Sequence, residues 1–270
     1  MGVPSGSPAA RADRGPMMRV VALIQARLGS TRLPKKVLED LHGRPMLMHP
    51  VERVRAATRV DQVVVAMTND SSDDPLEAYC EDAGISSFRG SVDDLVGRLL
   101  GAAHSVGADV IVRIWGDCPM VDAGVIDQAV EAIVDGGADF ATNGLLAGRT
   151  YPVGLDVEVY RVGLLERIAE ETEHPFLREV PIEFVREHAG ELSLEFLTYE
   201  EDLSDVHLTV DYPVDLERFR RMLGALEEEQ KPVDFLRAAQ WMRDHLRDDV
   251  AHARDADYTA KRARYLKEER

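Results

Sequence analysis

The chain has 270 residues, a formal net charge of −17 and 45% hydrophobic residues. That length can bury one substantial core with room for a small appendage, and the balance of apolar and charged residues excludes an intrinsically disordered chain. The acidic excess excludes a protein that coats nucleic acid, because binding along a phosphate backbone needs a cationic surface. It leaves room for a small phosphorylated ligand, since a local arginine cluster acts over a short range at physiological salt.

Residues 1–17 are rich in Gly, Pro, Ser, Ala and Arg and lack an apolar h-region, so they read as a disordered N-terminal extension and not as a signal peptide. Arg19 to Gln25 is a nearly continuous, β-branched apolar run, the pattern of a strand buried on both faces. A loop from Ala26 to Lys36 follows, then apolar spacing compatible with a helix over 45–57. Gln62 to Ala66 is a second buried strand. Asp74-Pro75 opens a helix with an N-cap and a proline at its first position, ending near Ala83-Gly84. Asp93 to Val106 is helical in period, Asp109 to Ile114 is a third strand, and Val125 to Val134 is the next helix. Beyond Ala138 the spacing predicts a strand over 156–160, a helix over 176–188, a short strand over 208–211 and an amphipathic helix over 215–229.

Strands alternating with helices predict an α/β fold, a mostly parallel sheet with helices on both faces that gathers its post-strand loops on one ligand-binding edge. One domain, 18–245, accounts for the pattern, and a charged helical tail, 246–270, follows it. Cys80 and Cys118 are too few for a disulfide framework and point to a reducing cytoplasm. No apolar run is long enough to cross a bilayer, so neither membrane nor nucleic acid is expected as a partner.

The segment Gln25-Ala-Arg-Leu-Gly-Ser-Thr-Arg-Leu-Pro-Lys-Lys36 follows a core strand and sets Arg27, Arg32, Lys35 and Lys36 within ten positions. Its glycine lets backbone N–H groups approach an anion. It is neither a Walker A loop nor a Gly-x-Gly-x-x-Gly turn. Charge alone fits a solvated basic loop equally well; the position directly behind a core strand favours phosphate binding.

The string Ile24 to Leu38 resembles the nucleotide-binding signature of cytidylyltransferases. The nearest likeness is to the spore-coat polysaccharide biosynthesis group, with the synthetases of CMP-sialic acid and CMP-Kdo more distant. The resemblance continues in order through Phe88-Arg-Gly-Ser-Val-Asp-Asp94, Val112-Arg-Ile-Trp-Gly-Asp-Cys-Pro119, Tyr151-Pro-Val-Gly-Leu-Asp-Val-Glu158 and Leu208-Thr-Val-Asp-Tyr-Pro-Val-Asp-Leu216. It implies a Rossmann-like nucleotidyltransferase fold. It also implies an Mg²⁺-dependent displacement in which an acceptor oxygen attacks the α-phosphorus of CTP and pyrophosphate leaves, and a homodimeric assembly.

By motif position, Arg27 and Lys36 would hold the β- and γ-phosphates, helped by the backbone at Gly29 and Ser30 and by Arg32, with Gln25, Ala26 and Gly116 around the nucleotide. Asp117 and Asp211 match the family's metal-holding aspartates, which suits Mg²⁺, a cation that takes one or two carboxylates plus phosphates. The resemblance assigns the base to Thr68, Asn69, Arg89, Gly90, Ser91 and Asp94, with Arg98 either orienting Asp94 or forming an i,i+4 ion pair with it.

Asp156 and Glu158 share one face of a strand by period two and are candidates for acceptor contacts, as is Arg178; a solvated strand face is the other reading of the first two. Relatives usually follow the Arg178-Glu179 position with His, Val, Thr and Pro. This chain has Val180, Pro181, Ile182 and Glu183, which sets it apart from a standard nonulosonate or Kdo acceptor. Trp115 stands where relatives have a smaller residue and would narrow the pocket. His104, His174 and His188 show no metal-site spacing. A transferase using another triphosphate or activating a phosphonate or sugar phosphate, and a catalytically idle nucleotide-binding protein, are the alternative readings.

Overall fold

The computed structural model describes residues 18–144, 146, 148–245 and 256–268; the expected extension 1–17 and the first part of the tail lie outside them. In chain order the elements are β1 (Val20–Gln25), α1 (Met48–Arg55), β2 (Gln62–Thr68), α2 (Asp74–Asp82), β3 (Ser86–Gly90), α3 (Leu95–Ser105), β4 (Val110–Trp115) and α4 (Ala123–Val134). Then come β5 (Phe140–Thr142), β6 (Glu158–Arg161), α5 (Val162–Glu171), α6 (Pro175–Glu179), α7 (Pro181–Glu187), β7 (Leu194–Phe196), α8 (Pro213–Glu228), α9 (Phe235–His245) and α10 (Ala256–Glu268).

The strands form one seven-stranded sheet in the order β3-β2-β1-β4-β6-β5-β7. β1 lies between β2 and β4 and is parallel to both, β3 adds parallel to β2, and β6 alone runs against its neighbours. This is the mostly parallel, doubly covered α/β sheet that the alternation predicts. Residues of β1 alternate between two cores, with Val20, Ala22 and Ile24 facing one and Val21 and Leu23 the other. The first core is covered by α1, α2, α4, α8 and α9, the second by α3, α5, α6 and α7. A strand in the middle of such a sandwich has no wet face, which is why β1 and β2 read as apolar runs and β4 as one broken only by the buried, paired Arg113.

Three departures from the sequence expectations have local causes. The helix expected over 176–188 is two helices, broken at Val180 (φ −128°, ψ 71°), because Pro181 lacks an N–H and pushes the residue before it out of the helical region. The strand expected over 208–211 forms no ladder. Its backbone is instead stitched to loops, with Leu208 N–H donating to the Val153 carbonyl at 2.6 Å and Val210 N–H to the Asp117 carbonyl at 3.0 Å. The strand expected over 156–160 begins only at Glu158. Pro50 sits harmlessly in the first turn of α1, where its missing N–H has no helical partner to lose.

Candidate active site

The C-terminal ends of β1 and β4 lie side by side, with Gln25 paired to Trp115 in register and Gly116 N–H donating to the Gln25 carbonyl at 2.9 Å. A Cβ on Gly116 would stand 3.1 Å from that carbonyl oxygen and from Ala26 Cβ, a tight fit that glycine relieves. Between these ends opens a cavity of about 460 Å³ lined by Gln25, Ala26, Arg27, Ser30, Thr31, Arg32, Lys36, Val37, Arg98, Trp115, Asp117 and Tyr212.

The loop behind β1 is shaped by its own backbone. Lys35 N–H donates to the Leu28 carbonyl at 3.1 Å, and Lys35 occupies the left-handed region (φ 58°), rare for a residue with a side chain. That turn sends the next side chain inward. Lys36 is 7% exposed, and its ammonium donates to Asp117 Oδ2 at 2.5 Å, Asp211 Oδ1 at 3.0 Å and the Val210 carbonyl at 3.0 Å. Burial alone would lower the Lys36 pKa, but Asp117 and Asp211 outweigh it and hold the ammonium above its ordinary range. Arg32 reaches the same Asp211 Oδ1 at 2.6 Å and lies over the Tyr212 ring, 5.3 Å from its centroid. Two carboxylates 94 positions apart in the chain therefore converge on one cation at the cavity wall.

Asp211 owes its place to the start of α8, where the Asp215 carboxylate accepts the N–H groups of Asp211 at 3.0 Å and Tyr212 at 2.8 Å. Asp117 lies one turn beyond β4. The Gly29 position is open, and no heavy atom stands within 4 Å of an added Cβ.

The residues expected around the base do not line this cavity, because their side chains are spent elsewhere. Thr68 is buried and donates its hydroxyl to Asp73 at 2.5 Å. The Arg89 guanidinium pairs with Asp74 at 2.7 Å and Glu77 at 2.8 Å and donates to the Thr68 and Asp70 carbonyls, tying β3 to α2. Asp94 caps α3 by accepting the Gly97 N–H at 2.8 Å and is gripped by both arms of Arg178. Arg98 forms no ion pair with it; Arg98 turns into the cavity and donates to the Ser91 carbonyl. Gly90 is used for packing, since a Cβ there would lie 2.8 Å from Arg98 Cγ. Asn69 and Ser91 are exposed beside these groups, outside the cavity lining.

The expected acceptor residues part company. Asp156 lies before β6, pairs with Arg149 at 2.5 Å and accepts the Gly154 N–H at 2.9 Å. Glu158 is on no solvated face: it is 5% exposed, paired with Arg113 at 2.8 Å, and accepts the Tyr160 hydroxyl at 2.7 Å. Arg113 in turn donates to Gln25 Oε1 at 3.0 Å and lies against the Trp115 ring, 4.3 Å from its centroid. Arg178 serves the Asp94 clasp. Each of the three is thus in an ion pair, as a carboxylate drawn away from water must find a cation. His104, His174 and His188 are taken by Glu166, the Tyr265 ring and the Phe184 ring respectively.

One residue central to the geometry carried no sequence signal. Asp73 is fully buried and accepts the Leu28 N–H at 2.6 Å with one oxygen, and the Thr68 N–H and hydroxyl with the other. It fastens the cationic loop to the end of β2. Only its place in a polar loop after a buried strand could have flagged it.

A mostly parallel sheet whose first-strand loop sets a lysine between two convergent carboxylates at a cavity wall is the frame of a nucleotidyltransferase. The cytidylyltransferase family profile matches residues 21–238, and the chain belongs to that family. It is 33% identical over 218 residues to the spore coat polysaccharide biosynthesis protein SpsF of Bacillus subtilis, covering 76% of this chain and 87% of that protein. It is 38% identical over 116 residues to a 3-deoxy-manno-octulosonate cytidylyltransferase of Trichlorobacter lovleyi, covering 42% and 44%. The structure of a cytidylyltransferase from Leptospira borgpetersenii superposes with a TM-score of 0.72 at 34% identity, covering 77% of this chain and 88% of that one. A CMP:2-keto-3-deoxy-manno-octonic acid synthetase complexed with CTP shares the fold, with a TM-score of 0.59 at 22% identity over 77% and 99% of the two chains. Among the described residues no helix is long and apolar enough to cross a membrane.

Proposed function

We propose that this cytidylyltransferase is Mg²⁺-dependent and transfers CMP from CTP to a sugar acid or a related sugar-like acceptor, with release of pyrophosphate. The convergence of Asp117 and Asp211 on the Lys36 ammonium supports the reading, since two carboxylates that share one cation are close enough together to share a divalent ion. The oxygen-only donors suit Mg²⁺, which takes few protein ligands and completes its shell with phosphate and water. Asp117 and Asp211 would hold the ion, and its chemistry there is neutralisation of phosphate charge.

The chain's own residues do the rest. Arg27 and Lys36 bind the β- and γ-phosphates, so Lys36 exchanges carboxylate partners for phosphate partners as substrate enters. The acceptor oxygen attacks the α-phosphorus, its proton passes to solvent or a nearby carboxylate, and the bond to pyrophosphate breaks. Neutralisation and in-line positioning carry such a step without a covalent nucleophile.

The sugar-acid assignment rests on the names of relatives: the 3-deoxy-manno-octulosonate cytidylyltransferase acts on such an acid, and SpsF belongs to polysaccharide synthesis. We further place the protein in the cytoplasm as a homodimer, on its free buried thiols and its family. Pyrophosphate release should be followed with each of four nucleoside triphosphates, with and without Mg²⁺, against sugar acids, phosphonates and sugar phosphates. Release with CTP and a sugar acid only when Mg²⁺ is present is the expected result. Turnover with another triphosphate, with a non-acid acceptor, or in chelator overturns the corresponding part.

A further inference from the structure

We propose that Arg98 is a substrate-binding residue that, together with Arg27, grips a phosphate of the nucleoside triphosphate. The inference rests on the cavity's being the nucleotide site. Four cationic side chains line that cavity. Lys36 and Arg32 are engaged by Asp117 and Asp211. Arg27 and Arg98 have no carboxylate partner among the described residues.

Arg98 is 4% exposed, on the buried side of α3's first turn. Its Nη1 donates to the Ser91 carbonyl, while its Nε is buried with no hydrogen-bond partner. The two carboxylates that act on it, Asp73 and Asp94, are committed elsewhere, Asp73 to Leu28 and Thr68 and Asp94 to the Gly97 N–H and Arg178. Burial, then Arg27, then Arg113 disfavour the charged form of Arg98, and Asp73 and Asp94 oppose them only in part.

The fold goes out of its way to keep this arrangement. Gly90 leaves out the one carbon that would strike Arg98 Cγ at 2.8 Å and its Cα at 3.0 Å. A buried, uncompensated guanidinium is destabilising in a resting protein. It becomes favourable once a multiply charged oxyanion enters and takes the free N–H groups, because a guanidinium fork matches phosphate geometry. An arginine pair with no carboxylate partner, lining the same cavity as Asp117, would add the cationic contacts that a polyphosphate needs there.

The test is titration of CTP and of inorganic pyrophosphate into wild type, Arg98→Met and Arg98→Lys, read by calorimetry alongside melting temperature. Arg98→Met is expected to weaken both ligands at least about tenfold, the loss of a charged hydrogen bond. It is expected to melt no lower than wild type, because an uncompensated buried charge has gone. Arg98→Lys, which keeps charge but not the fork, should fall between, and it carries the test if the methionine variant does not fold. A CTP affinity within twofold of wild type in the variants overturns the assignment, as does a lowered melting temperature with affinity unchanged, which would make Arg98 a mere anchor of α3. Failure of wild type itself to bind CTP sinks the reading of the cavity and is a separate result.

Discussion

The Asp73 carboxylate accepts the backbone N–H of Leu28 at 2.6 Å, across 45 positions of sequence, from a fully buried site. Because its second oxygen holds Thr68, one side chain sets the distance between the cationic loop and the second strand. Replacing it by alanine strands three buried donors at once. Asp73→Ala should cost roughly 2–4 kcal/mol of stability in chemical denaturation, and the surviving folded protein should bind CTP more weakly because Arg27 is no longer held in register. Unchanged CTP affinity in the folded variant would separate Asp73 from the site.

The shared ammonium gives the carboxylates and Lys36 different signatures. Asp117→Asn and Asp211→Asn keep the side-chain shape at partly open positions, so circular dichroism should be unchanged while kcat drops by about a hundredfold or more, as when a preorganised charge is removed. Lys36→Ala should instead weaken triphosphate binding by about 1.5–3 kcal/mol. Near-normal turnover in either asparagine variant, or unaltered nucleotide affinity in the lysine variant, contradicts these roles.

His49 makes stability sensitive to acid. Burial pushes its pKa down to about 4 from 6.5, Arg44 adds to the push, and the Leu41 carbonyl, at 2.8 Å from its ring nitrogen, only partly opposes it. The unfolded chain therefore binds the proton more readily. The stabilisation is complete above pH 6.5 and is lost as the pH falls toward about 4, a loss on the order of 2–3 kcal/mol. Urea midpoints measured at pH 7 and pH 4.5 should diverge less in His49→Asn than in wild type. An equal divergence rules His49 out as the titrating group.

Both thiols should be inert. Cys80 and Cys118 are buried, and burial pushes their pKa values up, for Cys80 to about 11 and for Cys118 well above the ordinary range, where Asp117 adds repulsion. The thiolate is the reactive form. A chromogenic disulfide reagent should find no rapid thiol in native protein and two after denaturation. Fast labelling of the folded form would mean that one of these sites opens.

What could be read from the chain depended on how many neighbours each element has. β1, β2 and β4 sit inside the sheet with both faces covered, so their apolar runs announce them. β3 stands at an edge with two exposed serines, and β5 and β7 are three residues each, too short for any period to register. α5 escaped notice although it is amphipathic, because no capping side chain marks its start as Asp74-Pro75 marks α2; α9 was missed even though Asp234 caps it by accepting the Arg237 N–H at 2.8 Å.

Within the site, Lys36, Asp117 and Asp211 were legible as members of ordered motifs, and the structure brings them together. Of the candidates that do not line the cavity, Arg89, Asp94, Glu158 and Arg178 each have a charged partner at least twelve positions away. A motif shows that a charged residue is present but not which opposite charge the fold will bring beside it. Asp73, one of several acidic residues in its loop, is distinguished only by burial.

The helix α10 ties a remote segment to this chemistry. Lys261 and Arg262 reach Glu179 at 3.0 Å and Glu183 at 2.8 Å, and Tyr265 stacks on Phe176 with ring centroids 5.1 Å apart. Those contacts seat α6, whose Arg178 clasps the head of α3, and α3 carries Arg98. A change on α10 that loosens Lys261, Arg262 or Tyr265 therefore reaches the cavity wall through the packing of α6 against α3.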